Sequence, residues 1–372
     1  MANVQMITSL LSDLAPTSFA TEWDNVGLQV GKFNQEVTNV LLSLDVNSQV
    51  IEEAIDKNCE LIISHHPMFI NGLKSIHDQT STGNEVMKAI KNDITIYSAH
   101  TNLDIAPQGL NDYLAGLLNI EIIKPLKVTD KNSYYKLVFF VPEDYFSQVR
   151  SAVLEAGAGH IGDYSHTSFA VKGTGSFKPG KKSDPFIGKK DELTEVKERR
   201  VETIVAENKI NDVLRAMTKI HPYEEVAYDI YPLKHSGENF GLGRLGQLNQ
   251  TMILDDYIKL VKNKLNLEQL RYTGTGNEEI KKVAICNGSG ADFIRNAKYA
   301  GADLYITGDV KYHEAQMADQ YGIPLIDAGH HGTEVIVKDL LNDYLKDKAF
   351  QNNYQVNFIK SEVDTNPWNY LI

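Results

Sequence analysis

The sequence predicts an α/β protein: two α/β halves forming one metal-binding unit, with a ferredoxin-like α+β domain inserted between them. Three observations carry this. Short runs rich in Val, Ile and Leu alternate with helical stretches near both ends of the 372-residue chain, which is the rhythm of βαβ units on a largely parallel sheet. The middle follows another order, βαβ then βαβ, which suits a small ferredoxin-like module. In both outer parts, His and carboxylate residues stand just after the apolar runs, where parallel sheets form their ligand crevice. The expected divisions are 1–127, 128–235 and 236–372.

The chain opens on Val4, Ile7, Leu11 and Leu14, apolar residues at helical spacing. That stretch contains Asp13 and lacks a basic start, so it does not read as a signal peptide. Val40 to Leu44 is an apolar run ending at Asp45, followed by a helical stretch from Ser48 to Lys57. Leu61-Ile62-Ile63 stops at Ser64-His65-His66-Pro67. Glu85 to Lys91 reads as helix, and Ile94 to Tyr97 as a strand stopping at His100-Thr101-Asn102-Leu103-Asp104.

In the middle, Tyr135 to Val141, Ser168 to Val171, Arg200 to Ala206 and Glu225 to Tyr231 read as strands. Tyr145 to Ala156 and Ile210 to Thr218 read as helices. The Gly- and Lys-rich stretch from Gly173 to Lys197 is expected to be a solvated loop, with a partner or anion contact as the sharper reading.

The last part resumes the first rhythm. Val283 to Cys286 is a strand, followed by Asn287-Gly288-Ser289-Gly290 and a helix from Ala291 to Ala300. The glycines there suit a tight turn with positive φ; an anion held at the helix N-terminus is the alternative. Leu304-Tyr305-Ile306 ends at Thr307-Gly308-Asp309, and Pro324-Leu325-Ile326 ends at Asp327-Ala328-Gly329-His330-His331. A helix from Thr333 to Leu345 follows. Thr273 to Gly276 reads as a loop.

Composition narrows the function classes. The balance of 37 Lys+Arg against 49 Asp+Glu gives −12, which disfavours nonspecific nucleic-acid binding. No apolar run approaches the roughly 20 residues of a membrane helix, so a cytoplasmic location is expected. Cys59 and Cys286 are isolated, which excludes a disulfide scaffold and a four-cysteine zinc site. Both are expected to be small core hydrophobes.

The strand-end residues suggest a metal site. His330 and Glu334 are four apart at a helix start and would share one face. His100 and Asp104 have the same spacing in an expected loop. Adjacent His65 and His66 would point apart on an extended chain, one toward each of two ions. A lone catalytic zinc takes three protein ligands. His65, His66, Asp104, His330 and Glu334 exceed that, which favours two metals about 3.5–4 Å apart. Imidazole and carboxylate without thiolate suit Zn, Mn, Fe, Co or Ni.

Five stretches carry a resemblance. They are Glu22-Trp23-Asp24-Asn25-Val26-Gly27-Leu28, Ser64 to Pro67, Ala99 to Asp104, Ile306 to Asp309 with Tyr312-His313, and Ala328 to Glu334. Together they resemble the dinuclear metal-centre proteins called GTP cyclohydrolase 1 type 2 homologs, or NIF-three-like proteins. The resemblance implies two divalent ions per subunit, zinc foremost, on His65, His66, Asp104, His330 and Glu334. It makes His100 an additional or orienting group and His331 a neighbour of the site. His100 or His313 is the expected proton shuttle, and Asp309 lines the site; otherwise Asp309 and His313 form a structural pair. The resemblance also implies a toroidal homo-hexamer. His221-Pro222-Tyr223-Glu224-Glu225-Val226-Ala227-Tyr228 resembles the signature of a PII/CutA-like insert. Two functions follow as expectations. One is a metal-dependent hydrolase acting on a nucleotide or phosphoester. The other is a metal-stabilised regulatory scaffold whose insert senses a small molecule.

Overall fold

The computed structural model describes every residue except 1, 132, 235, 236, 238, 370 and 372. It is a mixed α/β structure of several sheets. The chain divides into two compact units: Met1–Asp130 with Phe240–Ile372, and Lys131–Asn239. The expected division between 235 and 236 lies outside the described residues.

The larger unit holds a five-stranded and a six-stranded sheet. In the first, Asn357–Lys360, Asn39–Ser43, Leu61–Ser64 and Thr95–Ser98 run parallel, and Gly27–Val30 closes the edge antiparallel. In the second, Glu279–Ser289, Leu304–Gly308 and Leu325–Asp327 are parallel. Antiparallel Asn239–Ile253 and then Ile120–Lys131 extend one side, and Arg271–Tyr272 the other.

Burial explains why these strands read as unbroken apolar runs. Val40, Leu42, Leu61 and Ile63 share one core cluster with Val283, Ile285, Leu304 and Ile306 of the other sheet. The alternate residues Leu41, Ile62 and Ile96 turn to the opposite face and pack on Val50, Ile51, Val86 and Ala89 of the flanking helices. Strands covered on both faces need apolar side chains at every position. Helix Val4–Leu14 adds Ile7, Leu10, Leu11 and Leu14 to the shared core, and Asn3 caps it by accepting the Met6 amide at 2.9 Å. Cys59 and Cys286 are buried and free, as expected.

The smaller unit has one four-stranded antiparallel sheet in the order Tyr228–Pro232, Tyr134–Pro142, Thr194–Ala206, Phe169–Phe177. Helices Phe146–Glu155 and Ile210–Ile220 bury Val149, Val153, Val213 and Met217 against Leu137, Phe139, Val201 and Val205.

Two local expectations need correction, and two strands lie outside the expected elements. The stretch from Gly173 to Lys197 is only partly a loop, because the paired strands extend to Phe177 and resume at Thr194. Its polar side chains are solvated while its backbone is held in the ladder. His100 to Asp104 is no loop: Thr101–Ile105 is a short helix with His100 at its N-cap. Strands Ile120–Lys131 and Asn239–Ile253 lacked an apolar signature. The first is mostly exposed. In the second, Gly241 lies so close to the neighbouring strand that a Cβ would stand 1.9 Å from the Lys127 carbonyl oxygen. Among the described residues, no helix is long and apolar enough to cross a membrane.

One buried cation ties the strand Asn239–Ile253 to the helix that carries Asp104. Arg244 is 4% exposed. It donates to the carbonyls of Gly241, Gly243, Ile105 and Ala106 and pairs with Asp112. It thereby satisfies carbonyls at the end of the helix Thr101–Ile105. Arg244→Met leaves those groups and the Asp112 carboxylate without a cation. The expected loss is about 3 kcal/mol of unfolding free energy, measured by urea denaturation.

Candidate metal centre

The chemistry-bearing side chains meet where strands of both sheets end. His65 and His66 follow Leu61–Ser64, and His100 follows Thr95–Ser98. Asp309 follows Leu304–Gly308 with φ of +55°, and His330 opens a short helix, His330–Glu334, after Leu325–Asp327.

Glu334 lies at the middle of the cluster, 3% exposed. Its two oxygens face different groups. Oε2 accepts from His66 Nε2 at 2.9 Å and stands 2.9 Å from His330 Nε2. Oε1 accepts from Asn287 Nδ2 at 3.0 Å and lies 3.9 Å from His65 Nε2. Asp104 Oδ1 is 3.6 Å from the same His65 nitrogen and accepts from Asn287 Nδ2 at 2.8 Å. One carboxylate therefore spans two groupings, with Asn287 bridging Glu334 and Asp104.

Each imidazole is oriented from behind. His65 Nδ1 donates to the Ala99 carbonyl at 2.8 Å. Its Nε2 is buried without a hydrogen-bond partner and points toward the two carboxylates. His66 Nδ1 pairs with Asp45 at 2.7 Å, and His330 Nδ1 with Asp309 at 2.6 Å. His100 Nδ1 pairs with Asp24 at 2.9 Å. Such outer partners are what metal-ligating histidines use to fix tautomer and ring direction.

The charges follow from this geometry. Burial opposes a charged His66, but its bonds to Asp45 and Glu334 prevail and raise it to about 10. Glu334 raises His330 to about 9 against burial, with help from Asp309. Burial pushes Glu334 up, yet the imidazoles of His330, His65 and His66 hold it well below the carboxylate range. Burial raises Asp104. Asp24 is pushed up by burial and drawn down further by His100 and Thr101, to about 2.

The donor set fits divalent metal. One ring nitrogen of each of His65, His66 and His100 lies within 4.8 Å of the others, and His66, His330 and Glu334 form a second grouping of the same size. The Nε2 atoms of His66 and His330 are 3.3 Å apart. That is close to the ~3.3 Å separating two nitrogens bound about 2.0 Å from one tetrahedral ion. The unpartnered His65 Nε2 in a polar interior is the orphan atom that a metal bond satisfies.

A family profile described as Duf34/NIF3 (NGG1p interacting factor 3) matches residues 2–367. This chain belongs to the Duf34/NIF3 family. A relative from Halalkalibacterium halodurans, named GTP cyclohydrolase 1 type 2 homolog, is 43% identical over 100% of both chains. One of the same name from Bacillus subtilis is 42% identical over 99% of each. Among solved structures, a Bacillus cereus protein related to NIF3 superposes with a TM-score of 0.93 at 40% identity, over 100% of this chain and 99% of that one.

Within this NIF3 chain, His65, His66, His100, Asp104, His330 and Glu334 come together. His313 does not join them. It is exposed on helix Tyr312–Gln320 and pairs with Gln316 at 2.9 Å. Asp309 and His313 are no structural pair either, because Asp309 bonds His330. His331 turns aside toward Asp364 at 3.5 Å. Asn287, Asp45 and Asp24 complete the site and were not singled out as site residues. Asn287 and Asp45 had a legible signal, since each ends an apolar strand as the histidines do. Asp24 lay inside the Glu22 to Leu28 stretch.

The turn reading of Asn287 to Gly290 holds at Gly288, where φ is +60°. A Cβ there would stand 2.1 Å from Glu334 Oε1. Gly288→Ala is therefore expected to displace the carboxylate and weaken metal binding ~10-fold or more, read by competition with a chromogenic chelator. His65→Ala and Glu334→Ala, loaded with zinc and dialysed, are expected to retain less than half of the parent's metal by elemental analysis. Full metal content in both would refute the site.

Proposed function

We propose that this protein is a metal-dependent hydrolase that binds two divalent ions per subunit and acts on a nucleotide or phosphoester. The observation that carries this reading is a pair of donor groupings that share His66, one with His65 and His100 and one with His330 and the buried Glu334, beside an unpartnered His65 nitrogen. His65, His66, Asp104, His330 and Glu334 are the ligands. Zinc is the first choice, with Mn, Fe, Co and Ni as alternatives for a set without thiolate. Bound divalent ions supply Lewis-acid polarisation and activation of water. The chain's own residues do the positioning. Asn287 holds Asp104 and Glu334 in register, while Asp45 and Asp309 aim His66 and His330. His100 is the proton carrier: Asp24 anchors its Nδ1 and leaves the other nitrogen for transfer. His313 is the weaker choice for that role, because it pairs within its own helix. The relatives' name supports a nucleotide substrate.

In this reading the middle unit is a ferredoxin-like, PII/CutA-like insert between two α/β halves. Its antiparallel strand order and two helices on one core support that. The toroidal hexamer rests on the family resemblance, and the cytoplasmic location is the expectation drawn from the lack of a long apolar run. A second reading, a metal-stabilised regulatory scaffold, is favoured by a cavity in the middle unit.

The two are separated by removing metal with EDTA. Assembly size is then followed by light scattering, and hydrolysis of GTP and a phosphoester panel by product analysis. The hydrolase reading expects turnover to vanish and to return with added zinc or manganese at constant assembly size. Absence of turnover on every substrate, with loss of assembly on chelation, would establish the scaffold instead.

A further inference from the structure

The unit Lys131–Asn239 contains a cavity of ≈ 470 Å³ that the metal chemistry does not use. That size suits a small organic molecule. Its walls come from the hairpin Phe169–Phe177 and Thr194–Ala206, the loop between those strands, and the segment from Tyr223 to Ala227. The loop is fastened to that segment, where the Asp184 amide donates to both Glu224 oxygens at 3.0 and 3.1 Å.

Aromatic rings dominate the lining. Tyr223 stands 5.9 Å from Phe177 and 6.4 Å from Phe186, with interplanar angles of 58° and 51°. Phe140 also lines the cavity. Phe186 is 50% exposed although it is a large apolar ring. Lining rings that are tilted rather than stacked on one another can each offer a face to a bound cation.

The charged lining has the same preference. Glu198, Glu224 and Glu225 face Lys178 as the one cation among the lining residues. Glu198 Oε1 accepts from the Tyr223 hydroxyl at 2.8 Å, which fixes the carboxylate beside the ring. Its Oε2 takes no hydrogen bond from the described residues. Gly175 makes room for that oxygen, since a Cβ there would stand 2.1 Å from it. A carboxylate positioned this way beside aromatic faces favours a positive ligand and penalises a neutral or anionic one.

We propose that this cavity binds a small organic cation, a quaternary ammonium or protonated amine, with its positive head between Phe177, Phe186 and Tyr223 and against Glu198. The proposal is independent of the hydrolase reading, because the cavity lies wholly within Lys131–Asn239.

The test uses the full chain with two probes of like shape, choline and its uncharged analogue 3,3-dimethyl-1-butanol, titrated by ligand-observed NMR. Choline is expected to bind at least ~10-fold tighter than the alcohol. Phe186→Ala and Glu198→Gln are each expected to weaken choline about 10-fold. Phe186→Ala alters an exposed loop residue, and its unchanged metal content and circular dichroism serve as the folding control. Equal binding of the two probes, choline affinity unmoved in both variants, or tighter binding of inorganic phosphate than of choline would each overturn the proposal.

Discussion

Everything at the candidate metal centre depends on keeping the Glu334 carboxylate buried and ionised. A lone carboxylate in a protein interior is costly and would take up a proton. Here imidazoles on one side and the Asn287 amide on the other stabilise the charged form. Each imidazole is held in turn by a carboxylate or carbonyl behind it. The Gly288 backbone approaches closely enough to leave no freedom for the carboxylate. Remove any one part and the others become buried charges without compensation.

The sheets supply the rigidity this arrangement requires. Strands covered on both faces cannot slide by one residue without turning their side chains to the wrong core. The residues just past their ends therefore occupy fixed positions. Arg244 extends the same control to Asp104 by holding the end of its short helix. Sites borne by such elements are positioned more accurately than sites borne by long loops.

The parts of this protein legible in its sequence are those where burial forces a pattern. Leu61 to Ile63 and Leu304 to Ile306 had to be apolar throughout, so both strands and the residues after them stood out. His330 and Glu334 were readable as one helical turn because spacing fixes their shared face. The polar hairpin near Gly175, held mainly by its backbone ladder, left no such trace, and in the strand from Asn239 glycines and polar residues interrupt the buried Leu245 and Leu248. The position of Asn287 after an apolar run was legible, but its role was not. An amide bridging two carboxylates looks, in sequence, like any turn residue. The pairing of Asp309 with His330 rather than His313 depends on a positive φ that no spacing rule reveals.

His66 and Glu334 touch across 268 positions of sequence. A chain leaving the ribosome presents its first histidines long before their acidic counterpart exists, and the intervening unit emerges meanwhile. Contacts of such long range form late and slowly. Any cation this site takes can meet its full set of donors only after that last stretch has emerged, and a truncated product lacking the last forty residues has lost Glu334 itself.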